Sequence, residues 1–290
     1  MIDCDIEIKN LADTPWSEIM RAFLDAFAEY SVTFDEAMLV DMFKRRGARR
    51  ELSFAAVADG RIVSFIINGI GSYNGNLCAY DTGTGTIKEY RGKGLTDRIF
   101  AHSVAPLTAA GVTDYVLEVL SDNQPACEIY RRQGFTIFTE YACYTADNQA
   151  VIDRLRRRAD SGPVITPATV EQVSALAGFM DFTPSWQNSF AALERNPEAF
   201  LCLIAWDGPK PIGFGVSETA YGDITLLAVD PACRRRGVGS NLLLRLVEAN
   251  DIARAKALNI VTDCTPMRSF LEASGFILSC YQHGMIKHLK

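Results

Sequence analysis

The chain is written twice, and this constrains its fold more than any other feature. Thr84-Gly85-Thr86-Ile87-Lys88-Glu89-Tyr90-Arg91-Gly92-Lys93-Gly94-Leu95-Thr96 has a counterpart in Leu227-Ala228-Val229-Asp230-Pro231-Ala232-Cys233-Arg234-Arg235-Arg236-Gly237-Val238-Gly239. Arg91 aligns with Arg234 and Gly94 with Gly237, and an apolar helical stretch follows each. Gly134-Phe135 then comes 43 residues after Arg91, and Gly275-Phe276 comes 41 after Arg234. Matching order at near-matching distance predicts two copies of one fold, and 290 residues suit two domains. Polar Ala146-Asp147-Asn148-Gln149, the run Arg156-Arg157-Arg158 and the turn signal Ser161-Gly162-Pro163 mark the seam. The predicted division is a first domain over 1–147, a linker over 148–163 with a short helix in 149–159, and a second domain over 164–290.

Each half repeats one pattern. Apolar residues fall at helical spacing over Leu11–Phe27 and Phe34–Phe43, and again over Val170–Met180 and Trp186–Leu193. Asp13 or Thr14 before Pro15, and Thr166-Pro167, read as helix starts. Strands are predicted over Leu52–Ala58, Ile62–Ile67 and Leu77–Ile87, matched by Ala199–Ala205, Ile212–Glu218 and Ile224–Val229. Asp59-Gly60 and Asp207-Gly208 read as hairpin turns. Tyr115–Leu120 and Asn259–Asp263 are late strands. The predicted class is a mixed α+β fold, made twice.

Composition narrows the function. Lys plus Arg total 29 and Asp plus Glu 35, a net charge of −6, which disfavours nucleic-acid binding through phosphate neutralisation. The arginines at 45, 46, 49 and 50 and at 156–158 read as solvated helix charge. No uncharged apolar run reaches the ~18 residues of a membrane span, and the acidic Met1-Ile2-Asp3-Cys4-Asp5 is unlike a basic signal-peptide start. The expectation is a cytoplasmic protein without a membrane partner, monomer or homodimer. Cys4, Cys78, Cys127, Cys143, Cys202, Cys233, Cys264 and Cys280 contain no C-x-x-C and read as free, mostly buried thiols. His102, His283 and His288 lack ligand spacing with them, so no metal site is expected.

The informative element is a strand, then Arg-x-x-Gly-x-Gly/Thr, then a helix. A helix N-terminus has about four unpartnered N–H groups and partial positive charge, and glycines let the chain approach an anion closely. Arg91–Thr96 and Arg234–Gly239 therefore read as pyrophosphate cradles, with backbone amides from Gly92, Lys93, Gly94, Leu95 and Thr96 and charge from Arg91 and Lys93. A Walker A loop is excluded, because Lys93 precedes Gly94 and Ile87 stands where its first glycine belongs. A dinucleotide fingerprint starting at Gly83-Thr84-Gly85 fails at Lys88.

The halves resemble two domains of the GNAT superfamily of acyl-CoA-dependent N-acetyltransferases, whose signature is Gln/Arg-x-x-Gly-x-Gly/Ala after the fourth strand. Arg234-Arg235-Arg236-Gly237-Val238-Gly239 matches it in full. Arg91-Gly92-Lys93-Gly94-Leu95-Thr96 departs only at Thr96. The resemblance implies a splayed, mostly antiparallel mixed sheet flanked by helices, whose fourth and fifth strands open into a V. Acetyl-CoA would sit there, its pantetheine arm bonded along Gly85, Thr86 and Ile87. A second site would involve Leu227, Val229, Arg234, Arg235, Arg236, Gly237, Val238 and Gly239.

Leu117-Glu118-Val119, Asn123, Ala126, Tyr130 and Gly134-Phe135 are similar to the matching run of ribosomal-protein and other N-terminal acetyltransferases. By that resemblance Tyr130 is the general acid for the leaving thiolate. Glu118 is the base through a water, Asn123 binds the pantetheine arm and caps the next helix, and a backbone N–H near Thr86 polarises the thioester. Each has a plainer reading beside it: Tyr130 as core, Glu118 as an exposed strand residue, Asn123 as a cap alone with Asp122 competing, Arg91 as surface charge. Aligned on Gly275-Phe276, the second half has Asn259, Cys264, Met267 and Leu271 at the positions of Glu118, Asn123, Ala126 and Tyr130.

The resemblance implies an acyltransferase moving acetyl from acetyl-CoA to a primary amine of a small molecule or protein, with the first half catalytic and the second vestigial or substrate-shaping. The alternatives are a non-catalytic CoA-binding regulator and a tandem acyltransferase active in its second half, which holds the better-matched loop. Tyr30–Phe43, Tyr73–Asn76 and Tyr141–Tyr144 are aromatic enough to line an acceptor pocket or to be ordinary core.

Overall fold

The computed structural model describes residues 6–29, 34–157 and 162–289. Expectations placed on residues 1–5, Cys4 among them, on Tyr30 and on Arg158 lie outside them. The chain forms two compact units: residues 1–138 with 284–290, and residues 139–283.

Unit 1 contains β1 (Glu7–Asn10), α1 (Trp16–Phe27), α2 (Glu36–Arg46), β2 (Phe54–Ala58), β3 (Arg61–Tyr73), β4 (Asn76–Thr86), α3 (Leu95–Ala109), β5 (Asp114–Leu120) and α4 (Gln124–Arg132). β6 (Thr136–Asp147) carries the chain into unit 2. There follow α5 (Asn148–Arg156), β7 (Val164–Ala168), α6 (Val170–Ser174), α7 (Phe190–Arg195), β8 (Leu201–Asp207), β9 (Lys210–Glu218), β10 (Asp223–Val229), α8 (Val238–Glu248), β11 (Arg254–Val261), α9 (Thr265–Ser274) and β12 (Ile277–His288). Unit 1 orders its strands β1-β2-β3-β4-β5 and then the end of β12; unit 2 orders them β12-β6-β11-β10-β9-β8-β7. The class is the expected mixed α+β. Among the described residues no helix is long and apolar enough to cross a membrane.

The compact units cut the chain differently from a division at 147 and 164. The cause is where apolar side chains bury. Ala142, Tyr144 and Ala146 of β6 pack into the core of unit 2, as do Val151 and Leu155 of α5, the expected linker helix. Met285 of β12 packs into the core of unit 1. Each copy thus gives a final strand segment to the sheet of the other unit. The Leu289 N–H donates to Thr113 O at 2.8 Å to fasten that end beside β5.

Alternation sorts the strand residues by face. On β8, Leu203 and Ala205 join the core shared with α8 and α9, whereas Cys202 and Ile204 join the one shared with α6 and α7. In unit 1, α1 lays Phe23 against Phe65, with ring centres 5.6 Å apart. β4 passes close beneath: a Cβ on Gly83 would stand 2.5 Å from Phe23, and one on Gly85 2.6 Å from Phe65. These glycines are there for packing. The hairpin turns form as read, with Asp59 and Gly60 at φ +50° and +74° and Gly208 at φ +58°. Asn74-Gly75 makes a third, between β3 and β4.

Two helix starts differ from the sequence reading. α1 begins after Pro15, which holds extended geometry and brings no capping side chain. Thr166-Pro167 lies inside edge strand β7, and α6 begins at Val170 on a reciprocal capping box of Thr169 and Gln172. The expected helices at Val170–Met180 and Trp186–Leu193 are each broken into a short helix and a 3₁₀ turn. Cys78, Cys127, Cys143, Cys202, Cys233 and Cys264 are buried, Cys280 is half-buried, and all seven are free thiols.

Candidate active site

In unit 1, β4 and β5 run parallel and pair only over Cys78–Tyr80 with Asp114–Val116. The register of β4 against β3 then slips, with Ile67 opposite Gly83 and Asn68 opposite Asp81, leaving Thr82 as a bulge that bends the strand. Beyond it β4 and β5 part. The Ile87 N–H donates back to Val63 O at 3.0 Å. Ile87 therefore has no amide to offer the gap, contrary to the expectation for it. Alternation along an antiparallel pair turns the Thr86 N–H the other way, toward the gap.

The loop after β4 ends at Gly94, which caps α3 in the left-handed region at φ +68° without any capping side chain. Gly92 is left-handed too, at φ +75°, and a Cβ on either would meet nothing within 4 Å. The backbone before this 15-residue helix is therefore uncrowded at both glycines. Leu95 is buried in the core and contributes backbone alone. The Lys93 ammonium sits 4.3 Å from the Tyr90 ring centre. The Thr96 and Thr86 hydroxyls stand 3.5 Å apart.

Arg91 is occupied otherwise than expected. Its Nε donates to Thr86 O at 3.2 Å, its Nη2 donates to Ala26 O at 3.0 Å, and its Nη1 pairs with Glu29 at 3.1 Å. Unit 2 repeats this group by group: Arg234 Nε donates to Val229 O at 3.1 Å, Nη2 to Phe179 O at 3.2 Å, and Nη1 pairs with Asp181 at 2.9 Å. The signature arginine staples the loop to the end of the fourth strand in both units.

Around the opening of unit 1 stands a set of polar side chains. Tyr130 of α4 is buried against Phe100 and Phe135, and its hydroxyl donates to Asp81 Oδ2 at 3.0 Å. Thr84 donates to the same oxygen at 2.7 Å. Burial pushes the Asp81 carboxyl up to about 6; the hydrogen bonds from Thr84 and Tyr130, the Gly83 N–H and the charge of Arg46 offset part of that rise. Half-buried Glu118 accepts a hydrogen bond from the buried Tyr80 hydroxyl at 2.6 Å. Burial, then the Glu118 charge, holds the Tyr80 phenol well above its ordinary range. Arg46 donates to Thr82 O at 2.9 Å, at the bulge, and lies 5.9 Å from the Tyr80 ring centre. The Tyr115 hydroxyl donates to Asn68. Asn123, rather than Asp122, caps α4 by accepting from the Ala126 N–H at 3.3 Å.

Of the two residues the sequence reading named for catalysis, Tyr130 lies in the buried apolar cluster of unit 1 with its hydroxyl on Asp81, and Glu118 is half-buried on β5 with the Tyr80 hydroxyl on it. That reading missed Asp81, Tyr80 and Arg46. One signal was available: the offset of 143 that aligns Arg91 with Arg234 also aligns Asp81 with Ile224. The paired positions Asp81 and Tyr130 are thus Ile224 and Leu271 in unit 2, both buried. Tyr73 lies at the β3–β4 tip, and Tyr141 and Tyr144 are buried in unit 2. The Tyr144 hydroxyl donates to Glu272 at 3.1 Å and accepts from Arg268 Nε at 3.1 Å.

Unit 2 has the same bend. β10 slips against β9 between Ile224 and Leu226, and it pairs with β11 only at Asp223 with Lys256. A cavity of about 480 Å³ lies there, lined by Leu227, Val229, Arg234, Arg235, Gly237, Val238 and Gly239 of the expected second site, with Phe179, Met267 and Phe270. Arg236 leans instead toward Cys233 and Asp207. Arg235 adopts φ +62° where unit 1 has Gly92. Buried Cys264 stands at the cap of α9 with no capping bond.

Two stretches, 16–135 and 149–276, match a family model described as the acetyltransferase (GNAT) family. The chain belongs to the acetyltransferase (GNAT) family. Over 86 residues this GNAT chain is 31% identical to N-alpha-acetyltransferase 30 of Schizosaccharomyces pombe (strain 972 / ATCC 24843), a match spanning 29% of the chain and 57% of that relative. Its fold is similar to that of a tandem GNAT protein from the clavulanic acid biosynthesis pathway, with a TM-score of 0.72 at 13% identity over 99% of both chains. It is also similar to a putative acetyltransferase from Pyrococcus horikoshii, with a TM-score of 0.68 at 14% identity over 98% of this chain and 90% of that one. At such identities the likeness speaks for the tandem GNAT fold.

Proposed function

We propose that this protein is an N-acetyltransferase that transfers the acetyl group of acetyl-CoA to a primary amine of a small molecule or protein, with the chemistry in unit 1. The observation that carries the reading is the contrast between the two openings. Unit 1 places Tyr130, Asp81, Glu118 and Tyr80 where β4 and β5 part; unit 2 has Leu271, Ile224 and Asn259 at the positions of Tyr130, Asp81 and Glu118. Glu118 takes the proton of the amine through a water, and Tyr130 protonates the departing sulfur. The Thr86 N–H polarises the thioester carbonyl. The amides from Gly92 to Thr96 hold the pyrophosphate. The similarity to an N-alpha-acetyltransferase favours an amine acceptor.

The cavity in unit 2 favours a second CoA site there, either without turnover or as the active one. Steady-state release of free CoA over an amine panel separates these. Tyr130→Phe is expected to lose at least about 100-fold in kcat, and Gly237→Glu, which thrusts a carboxylate into the unit 2 cradle, to leave kcat within twofold. Loss of turnover in Gly237→Glu with full activity in Tyr130→Phe transfers the chemistry to unit 2.

A further inference from the structure

Asp81 is a buried carboxylate with an unusual set of neighbours. One oxygen, Oδ2, receives both the Tyr130 and the Thr84 hydroxyls; the other, Oδ1, is buried and makes no hydrogen bond. The charged or titratable groups that face Asp81 are Arg46 from α2, Tyr80 from its own strand, Tyr115 from β5 and Tyr130 from α4. A lone carboxylate in such a site is costly, and unit 2 has dropped it together with its tyrosine, as Ile224 and Leu271. The bulge itself survives in unit 2, at Thr225, where the buried acid is Asp223 and the residue at the Asp81 position is Ile224.

The protonation state of Asp81 decides what Tyr130 can do. With Asp81 ionised, the phenol proton points at Oδ2, and giving it to sulfur would leave a phenolate 3.0 Å from a carboxylate. Two like charges that close are strongly disfavoured. With Asp81 protonated, its own O–H can follow, so that the charge ends on one oxygen pair. We infer that Asp81 acts through Tyr130, passing it a proton as the phenol gives its own to the leaving thiolate. In that step the Tyr130 O–H bond breaks and an S–H bond forms. The Asp81 O–H bond breaks as the Tyr130 O–H re-forms, and the resulting Asp81 carboxylate takes a proton back from water before the next turnover. The proton lost by the amine leaves through Glu118, so protons balance over the cycle. The elevated position of Asp81, about 6, places this acid within reach of neutral pH.

This inference rests on the assignment of transfer to unit 1. The test is the pH profile of kcat at saturating acetyl-CoA and acceptor, in wild type, Asp81→Asn, Thr84→Val and Tyr130→Phe. Wild type is expected to show a falling limb above pH about 6. Asp81→Asn is expected to lose that limb and about 10- to 100-fold of kcat at pH 6 with KM within twofold. Thr84→Val removes a hydrogen bond that favours the carboxylate, and is expected to move the limb to higher pH. Asp81→Asn with the wild-type limb, or with one uniform loss at every pH, overturns the inference; so does a limb in Thr84→Val that stays put or moves down. Wild-type turnover in Tyr130→Phe overturns the unit 1 assignment as well. An inactive Tyr130→Phe beside an unchanged limb in Asp81→Asn overturns the role of Asp81 alone.

Discussion

Replacing Asp81 by Asn should make the stability difference between the two proteins depend on pH in one direction only. An ordinary aspartate titrates near 3.8, and burial holds Asp81 near 6. At pH below about 4 the carboxyl is neutral whether the chain is folded or not. From about 4 to 6 the unfolded chain releases this proton and the folded chain keeps it, so folding loses stability as pH rises, by about 1.4 kcal/mol per pH unit. Above 6 both states are ionised and the cost stays at about 3 kcal/mol. Asn has no such proton. Its lost charged hydrogen bonds are a fixed term, the same at every pH. The variant is therefore expected to gain about 3 kcal/mol relative to wild type between pH 4 and 7.5, with the change complete near pH 6.5. Hydrogen exchange in urea measures it: peptides from β3 and β4 report unit 1, and peptides from β8 and β9 are a control that should not respond. A difference that is flat across pH, or a variant that loses ground as pH rises, would refute burial as the cause of the shift.

Two further outcomes test the scaffold. Arg91→Lys should cost unit 1 about 1–2 kcal/mol in urea unfolding, and Arg234→Lys a similar amount in unit 2, because an ammonium cannot serve two carbonyls from one planar fork. Glu29→Gln should cost less than 1 kcal/mol, the ion pair being solvent-exposed; the reverse ranking sinks the staple role. Gly85→Ala should destabilise by about 1–3 kcal/mol through overpacking against Phe65 and Ala26. Gly92→Ala should cost only about 1 kcal/mol, from its left-handed backbone alone, and a larger loss at Gly92 than at Gly85 contradicts this ordering.

The loops, hairpins and doubled meander were legible because they rest on local chemistry. Glycine at a left-handed turn, an arginine at fixed distance from it, and period-two alternation are all written within about fifteen residues. The unit boundary was not, because the segment 136–147 looks the same whichever sheet it joins. Its fate depends on whether Ala142, Tyr144 and Ala146 find apolar partners near or far in sequence, and those partners include Leu271 and Phe276 of unit 2. Tyr130 and Glu118 were singled out through the run they share with related acetyltransferases, and the structure shows their hydrogen bonds to Asp81 and from Tyr80. Asp81 was not, since within the strand predicted over Leu77–Ile87 nothing local marks the bulge at Thr82 that breaks the alternation beside it. Arg91 was legible as important and misread in role: the spacing fixes where the arginine starts, and the carbonyls of Thr86 and Ala26 fix where it ends.

The two units together bear on how one fold serves two ends. The parts common to both are those that build a cradle: the bulge, the strand that parts from its neighbour, the stapling arginine and the left-handed glycine before a helix. The parts that differ are polar side chains: Asp81 and Tyr130, hydrogen-bonded in unit 1, are Ile224 and Leu271 in unit 2. Keeping Asp81 buried costs unit 1 stability that Ile224 does not cost unit 2. The stability measurement and the pH profile thus examine one property from two sides. If Asp81→Asn stabilises unit 1 at neutral pH while removing the falling limb of kcat, the destabilising charge and the proton donor are the same group.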